Sequence, residues 1–372
     1  MGDWVPSCAI CGVIFRPEDC HIAPTSDGGA PPALPGTGDD ASHAAESGTT
    51  LGAAAPDPKY MYDRNLVSET DLLWLSDNNA LGVWPDSSEP SKSFLTGEFI
   101  TGYYGDVSLS QSLPDHVRDI EEELHTYEAL VGGQAVFPFH NDCYRHLLAR
   151  CITRHTNRPI DEEVLYATFV GLRGGMWSLD IDYGDLTVRE CNHWLSNRGN
   201  ELLVMNPTDT VEIGMYLKAY DGGLVESRRN LHMRVIDDPF GKLPDEIQQG
   251  VFLHLSARDI SALKVASYPM HSTAPSSVVW KQVFNREMPW IWEVEDIPSR
   301  DLRAFDLVQT FREIASQCRY GNNPGGHSPR LANRKRVWGV CEDLAERYVE
   351  ILARAGSVRE WTATDDGCFE LE

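Results

Sequence analysis

Two short motifs that lie more than a hundred residues apart constrain the fold of this chain more than any other feature. Cys8-Ala-Ile-Cys11-Gly12 places two thiols on one turn, and its glycine permits a tight backbone. His140-Asn-Asp-Cys143 follows an apolar segment and opens a predicted helix, so both of its side chains fall within the first helical turn. If the four side chains meet, the chain must return to its start. Such a return is allowed, because the entropy lost on closing a loop grows only slowly with loop length.

Thiolates and imidazoles are the usual ligands of structural zinc sites, which take four protein ligands in a tetrahedron. The two motifs therefore predict a structural zinc site formed by Cys8, Cys11, His140 and Cys143, with no open position for catalysis. A turn that carries two ligands, completed by two more at a helix N-terminus, is a treble-clef-like arrangement.

Other uses of these cysteines stay open. Cys20 and His21 lie nearer to the first motif and are rival ligands. The cysteines could also be ordinary reduced thiols. Thiol–disulfide exchange at Cys8 and Cys11 is disfavoured, because no β-α-β pattern surrounds them. The odd total of nine cysteines favours free thiols or metal ligands over a disulfide framework.

The charge of the chain restricts its partners. With 32 Lys and Arg against 56 Asp and Glu, the net charge is -24, which argues against binding to a nucleic-acid backbone. The one basic cluster, "RLANRKRVW" at residues 330–338, is predicted to lie at a helix terminus.

The sequence contains no run of 18 apolar residues, so no membrane span is predicted. Its first residues lack the pattern of a secretory signal. We therefore expect a protein of the cytosol or nucleus.

Changes in composition and periodicity divide the chain into seven predicted segments. Residues 22–58 form a disordered linker, because their Pro, Gly, Ala, Ser and Asp offer too little apolar surface to offset the entropy lost on ordering. The other segments are a zinc-knuckle half (1–21), an inserted mixed α/β module (59–135), a strand and helices completing the zinc site (136–172), a loop-rich region (173–235), a three-helix unit (236–290) and a C-terminal helical region (291–372).

Hydrophobic periodicity places the main elements. Strands are predicted at 97–109 and at the apolar run that begins at Gln134. The predicted helices cover residues 69–84 (ending in a glycine-containing turn), 114–133, 161–172, 301–315 and 336–356. The expected fold class is therefore an α+β N-terminal region followed by a mainly α C-terminal half.

The stretch "LPDEIQQGVFLHLSARDISAL" at residues 243–263 predicts two consecutive helices. Pro244 with two acidic residues is typical of a helix start. Ser256 and Asp259 resemble a capping box that opens the second helix. A third short helix is expected around Trp280. Three helices in so short a unit cannot bury all of their apolar side chains, so leftover apolar surface indicates a partner.

This segment resembles an F-box, the motif that binds the Skp-type adaptor of cullin–RING ubiquitin ligases. The likeness rests on Leu243-Pro244, Ile247, the block 251–255, Asp259-Ile260, Leu263 and the closing Trp280. It departs where "SYPMHSTAP" (267–275) replaces a direct run into the third helix. The segments "CAICG", "FPFHNDC", "LDIDYGDL", "NREMPWIWE" and "RKRVWGVCEDLAERY" are similar, in this order, to F-box proteins of filamentous fungi, so the resemblance covers most of the chain.

The resemblance implies a substrate-recognition subunit of a ubiquitin ligase that is not itself catalytic, and no catalytic motif contradicts this expectation. An unknown protein substrate would bind elsewhere on the chain. The residues that the resemblance assigns to the adaptor are Leu243, Pro244, Ile247, Val251, Leu255, Ile260, Leu263 and Trp280.

Three other hypotheses compete with this one. The apolar residues could all be the core of a helical domain. The chain could be a zinc-stabilised protein-interaction scaffold that acts outside a ubiquitin ligase. A zinc-dependent nucleic-acid binder is disfavoured by the charge of -24 and by the lack of a basic helix beside the ligands.

Overall fold

The structure of this chain is a computed structural model. It describes residues 6–24, 58–87, 89–102, 105–113, 124–128, 133–175, 178–184, 194–217, 238–302, 306–319, 328–355, 360–364 and 367–371. These residues form two compact units. The first unit holds the described residues up to Thr208 and those from Arg336 onward, and the second holds those of 209–319 and 328–335. The predicted linker falls almost wholly on residues 25–57, which lie outside the described residues.

A four-stranded mixed sheet organises the first unit, in the order β2-β1-β6-β5. Its strands are β1 (Asn78–Val83), β2 (Ser93–Leu95), β5 (Leu124–Thr126) and β6 (Gln134–His140). Strand β6 pairs parallel to β5 and antiparallel to β1. All seven of its residues are buried, as expected for a central strand that is covered on both faces. The prediction of a strand beginning at Gln134 and leading into a helix is confirmed.

The helix predicted over residues 69–84 is wrong for its second half, which forms strand β1. A 3₁₀ helix covers Glu69–Ser76, and the chain then extends along β6. All six residues of β1 are buried, and Gly82 lies directly beneath the ring of Phe94 in β2. A Cβ at Gly82 would approach the Phe94 Cζ atom to 2.3 Å. Pairing on both sides and this ring contact therefore override the local helical pattern.

Two further predictions in this unit are corrected. Of the helix predicted over 114–133, residues 124–126 form strand β5 instead, and residues 114–123 lie outside the described part of the chain. The single strand predicted over 97–109 is an antiparallel pair, β3 (Phe99–Thr101) and β4 (Val107–Leu109). Gly105, with φ at 78°, lies between the two strands, where a left-handed backbone conformation favours glycine.

Helices complete the first unit. A π-helix over Cys143–Leu148 runs directly into α1 (Ala149–Thr156). The helix predicted over 161–172 is α2 (Glu162–Gly171), whose first turn is capped by Asp161. The remaining elements of this unit are the 3₁₀ helices Pro17–Asp19, Pro58–Tyr60 and Glu201–Val204, the pair β7 (Arg173–Gly175) and β8 (Ser178–Leu179), and the pair β9 (Trp361–Ala363) and β10 (Phe369–Leu371).

The second unit is helical. Two 3₁₀ helices, Ile213–Met215 and Pro239–Lys242, precede a series of α-helices. These are α3 (Asp245–Leu253), α4 (Ala257–Ala266), α5 (Tyr268–Ser272), α6 (Ser277–Glu287), α7 (Glu293–Asp296), α8 (Ser299–Leu302) and α9 (Leu307–Gln317). Helix α10 (Pro329–Arg354) contributes its first seven residues to this unit and the rest to the first unit. The chain is thus of mixed α+β class, as predicted.

The helices expected in the 243–290 region are present, with one addition. One half of the predicted capping box at the start of α4 is present, since the Ser256 hydroxyl accepts a hydrogen bond from the backbone nitrogen of Asp259 at 3.0 Å. The Asp259 carboxylate accepts from the Ser256 hydroxyl at 2.7 Å instead of completing the box. Helix α5 lies between α4 and α6, so the region holds four helices rather than three. Pro244 is the N-cap of α3 rather than its first helical residue.

The helix predicted over residues 336–356 corresponds to α10, which begins seven residues earlier than expected. The helix predicted over 301–315 corresponds to α8 and α9, with residues 303–305 outside the described part of the chain. Asp306 caps α9 by accepting from the backbone nitrogen of Gln309 at 3.0 Å. None of the helices in the described part of the chain combines the length and apolarity that a membrane span requires.

Candidate metal centre

The first motif forms a tight turn that points two thiols to one side. The backbone nitrogen of Gly12 donates to the Cys8 carbonyl, and that of Cys8 donates to the Val13 carbonyl, both at 2.8 Å. Gly12 has φ at 74°, so the glycine is required by the backbone conformation. The backbone nitrogens of Ile10 and Cys11 lie 3.4 and 3.5 Å from the Cys8 sulfur. Backbone donors around a sulfur favour its thiolate form.

The second motif reaches the same place from the sheet. His140 is the last residue of β6, and Cys143 is the first residue of the π-helix that follows. The Ala9 backbone nitrogen donates to the Pro138 carbonyl at 2.8 Å, which ties the turn to β6. The strand thus ends beside the turn, and the first helical turn adds the fourth side chain.

The four predicted ligands converge. Their ligand atoms all lie within 4.8 Å of one another, and all four residues are fully buried. The Cys11 sulfur lies 3.4 Å from Nδ1 of His140, and the His140 backbone nitrogen lies 3.4 Å from the Cys8 sulfur. Cys8, Cys11, His140 and Cys143 are therefore close enough to hold a metal ion, as the sequence predicted.

The imidazole of His140 is held in an orientation suited to a ligand. Its Nε2 lies 3.1 Å from the carbonyl oxygen of Ile14, which can only accept, so Nε2 carries the hydrogen. Nδ1 is then left to face the thiols. The rings of Phe15 and Trp74 pack on the imidazole with centroid distances of 4.7 and 4.5 Å. In metal-binding histidines, a hydrogen bond from the ring nitrogen that does not bind the metal, like the one from Nε2 to Ile14, fixes the tautomer.

The pKa values of Cys8, His140 and Cys143 are each shifted by other members of the cluster. Burial opposes the charged imidazole, but negative charge on Cys11 and Cys8 raises the pKa of His140 to about 10. Burial raises the pKa of Cys8, yet hydrogen bonds from Cys11 and Cys143 and the charge of His140 bring it well below its usual value. Burial, with hydrogen bonds to Cys11 and Cys8, raises the pKa of Cys143 far above its usual value. A divalent cation would replace protons in this site, because metal ligands must be deprotonated.

Arg336 in α10 is a further residue of this centre that the sequence did not reveal. Its Nη1 donates to the carbonyl oxygens of Cys11, at 2.9 Å, and Tyr183, at 2.8 Å. The Tyr183 hydroxyl in turn donates to the carbonyl of Ala9 at 3.0 Å. Three thiolates around one divalent cation would carry a net charge of about -1, which the guanidinium beside them would compensate. The signal in the sequence is the basic cluster 330–338, which contains Arg336 and is predicted to lie at a helix terminus.

The rival ligands do not join this cluster. Cys20 is buried, and burial together with the charges of Asp19 and Glu18 raises the pKa of its thiol to about 12. The backbone nitrogen of the exposed His21 donates to the Ser196 hydroxyl at 2.8 Å. Neither residue belongs to a group of converging metal-ligating side chains in the described part of the chain. The eight described cysteines are all free of disulfide bonds.

The residues assigned to the adaptor by resemblance differ in exposure. Pro244 is exposed, and the Ile247 side chain is 53% exposed. Ile260 and Trp280 are buried in the core of the second unit, at 1% and 3% exposure. The half-buried residues are Leu243, Val251, Leu255 and Leu263, of which the last three pack against that core.

No family model matches this chain, and no curated protein or solved structure is significantly similar to it.

Proposed function

We propose that this chain is the substrate-recognition subunit of a Skp-cullin-F-box type ubiquitin ligase. The observation that carries the proposal is the position of the exposed apolar side chains. Eight large hydrophobic side chains are exposed among the described residues. Four of them lie in one stretch of the helical second unit, residues 247–278. These four are Ile247, Val265, Tyr268 and Val278. A concentration of exposed apolar groups is typical of a protein-interaction surface.

The second unit buries a hydrophobic core that does not include these four side chains. Its core already contains Phe252, Ile260, Trp280, Val283 and Phe284, all nearly inaccessible to solvent. The four exposed apolar side chains lie outside this core, which favours the partner hypothesis over a purely internal role. In the proposed complex, the adaptor contacts the edge that begins at Leu243-Pro244 and continues through Ile247. Ile260 and Trp280 support that edge from inside.

We further propose that the metal of the N-terminal centre is Zn²⁺ in a structural role. The donor set of three sulfurs and one imidazole nitrogen suits zinc, and four protein ligands leave no position for a substrate. Cys8 and Cys11 on a turn, with His140 and Cys143 at a strand end and a helix start, form a treble-clef-like arrangement. The zinc would hold the N-terminal turn against β6. The remainder of the chain would present a protein substrate to the ubiquitin-loaded enzyme, a proximity effect.

The proposal is tested by co-purification of the full chain with a fungal Skp-type adaptor. The double variant Leu243→Ala/Pro244→Ala and the single variant Ile247→Glu are expected to lose the adaptor. Leu73→Glu is the matched control, because Leu73 is 64% exposed and belongs to the first unit. Circular dichroism and a thermal melt of each variant show whether it still folds.

The outcomes separate the competing hypotheses. Wild-type binding that Ile247→Glu abolishes and Leu73→Glu preserves supports the adaptor interface. Unfolding of the Leu243/Pro244 variant, with no complex for the wild type, favours the core hypothesis. If the adaptor binds but no cullin joins the complex, the zinc-stabilised scaffold acting outside a ligase becomes the better description.

A further inference from the structure

A second group of metal-ligating side chains lies elsewhere in the first unit. Cys151 and His155 occupy positions four apart on α1, so both face the same direction. Glu342 on α10 faces them. The Cys151 sulfur, a ring nitrogen of His155 and a carboxylate oxygen of Glu342 all lie within 4.8 Å of one another. Cysteine, histidine and glutamate are three of the four residue types that bind zinc in proteins.

The carboxylate of Glu342 is fixed by neighbours that leave one of its oxygens directed at the cluster. Oε1 accepts hydrogen bonds from the Trp338 indole nitrogen, at 2.8 Å, and from Arg154 Nη1, at 3.2 Å. Oε2 lies 2.5 Å from Nε2 of His155. Hydrogen bonds from outside the ligand set orient metal-ligating carboxylates in this manner.

The three side chains differ in their exposure to solvent. Cys151 is fully buried, whereas the side chains of His155 and Glu342 are 33% and 28% exposed. Burial and the charge of Glu342 raise the pKa of the Cys151 thiol, so without a cation it stays protonated and is no nucleophile. One side of the cluster is thus open to solvent, which supplies a route for an ion and for water.

We propose that Cys151, His155 and Glu342 form a second site for a divalent cation of the zinc class, distinct from the centre at Cys8. Three protein ligands leave a fourth position for water or an exogenous donor, the arrangement that structural four-ligand sites lack. One thiolate and one carboxylate neutralise the charge of the cation. Binding releases the Cys151 thiol proton to solvent, so no oxidant or reductant is required.

The ion requires only a small rearrangement. Two ligand atoms bonded to zinc at about 2.0 Å in a tetrahedron lie roughly 3.3 Å apart, compared with 2.5 Å between the His155 and Glu342 atoms. The imidazole of His155 can move by this amount because it is partly exposed at the end of α1. The second site is independent of the proposed ligase function and of adaptor binding.

The test is the zinc content of the full chain, purified in the presence of Zn²⁺ and freed of loosely bound ions by gel filtration. Two equivalents are expected for the wild type. His155→Gln and Glu342→Gln should each lose one equivalent and keep the other, whereas Cys11→Ser should lose the other one. Glu350→Gln is the control, because Glu350 lies on the same helix and pairs only with Arg347 at the surface among the described residues.

A Co²⁺-substituted protein provides a second measurement that does not depend on the Glu342 variant folding. Cys151→Ala should weaken the sulfur-to-cobalt absorption band and leave the remaining band of a three-sulfur site. A wild type that holds only one equivalent, with His155→Gln unchanged in zinc content, would overturn the second site while leaving the first intact.

Discussion

Arg336 donates a hydrogen bond from Nη1 to the carbonyl oxygen of Cys11 at 2.9 Å, although the two residues stand 325 positions apart. The same Nη1 donates to the carbonyl of Tyr183 at 2.8 Å. Burial lowers the pKa of Arg336, and the charges of the neighbouring thiol groups oppose that effect. A guanidinium stays protonated in proteins, so a fixed positive charge lies beside the ligand turn.

Replacement of Arg336 by Gln should therefore weaken metal binding without removing a ligand. The loss of one supporting residue of a metal site typically lowers affinity about 10- to 100-fold, and the lost charge should act in the same direction. The measurement is competition for zinc with a chelator of known affinity. Arg347→Gln is the control, because Arg347 lies on the same helix in a surface pair with Glu350. Equal zinc affinity in both variants would refute the charge-compensating role.

Single cysteine variants distinguish the proposed ligand set from the rival ligands Cys20 and His21. Cys11→Ser is expected to remove the metal of the N-terminal centre and to lower the melting temperature, because buried ligands are left without their ion. Cys20→Ser should keep that metal, since Cys20 lies outside the converging cluster. Zinc analysis and a thermal melt of both proteins check this. Metal loss in the Cys20 variant alone would mean that the ligand set is wrong.

A buried ion pair in the second unit gives a stability prediction. Arg334, 1% exposed, donates to both carboxylate oxygens of Glu293 at 2.7 and 3.0 Å, and its guanidinium lies 4.1 Å from the Trp292 ring centre. Arg334→Met leaves that carboxylate without its cationic partner and should cost about 3 kcal/mol of unfolding free energy, measured with urea. The double variant with Glu293→Gln should recover part of the loss. Purely additive effects of the two substitutions would show that the residues are not coupled.

Asp63 gives a prediction of pH dependence. The backbone nitrogen of Asn65 donates to Oδ1 at 2.9 Å, Arg198 donates to Oδ2 at 2.6 Å, and both contacts lower the pKa of the Asp63 carboxyl. A carboxyl with a lowered pKa in the folded state stabilises the fold above its unfolded pKa, about 4, and loses that contribution as the pH falls further. Asp63→Asn should therefore cost about 1 kcal/mol or less at pH 7, because Arg198 is largely exposed.

The same comparison at acidic pH provides the internal control. As the pH falls through the lowered pKa of Asp63, the unfolding free energies of wild type and Asp63→Asn should approach each other. Urea denaturation at several pH values measures the difference. A difference that stays constant with pH would mean that the carboxylate charge contributes nothing.

Local patterns were sufficient where a residue's role depends on its immediate neighbours. The helix start at Ser256, the helix after Asp161 and the apolar strand leading to His140 were predicted correctly, because caps and continuous apolar runs act over a few residues. They were insufficient for β1 and β5. The helical pattern of each was overridden by pairing with β6, antiparallel for β1 and parallel for β5.

The sequence by itself determined the four candidate ligands, since only a few residue types bind zinc and both motifs carry recognisable spacings. Tertiary structure decided that these four, and not Cys20 or His21, converge in one buried place. It also decided that Arg336 supports them and that Cys151, His155 and Glu342 meet. The physical reason is that ligand chemistry belongs to a residue, whereas convergence depends on strand pairing and helix packing between distant segments, which no local pattern specifies.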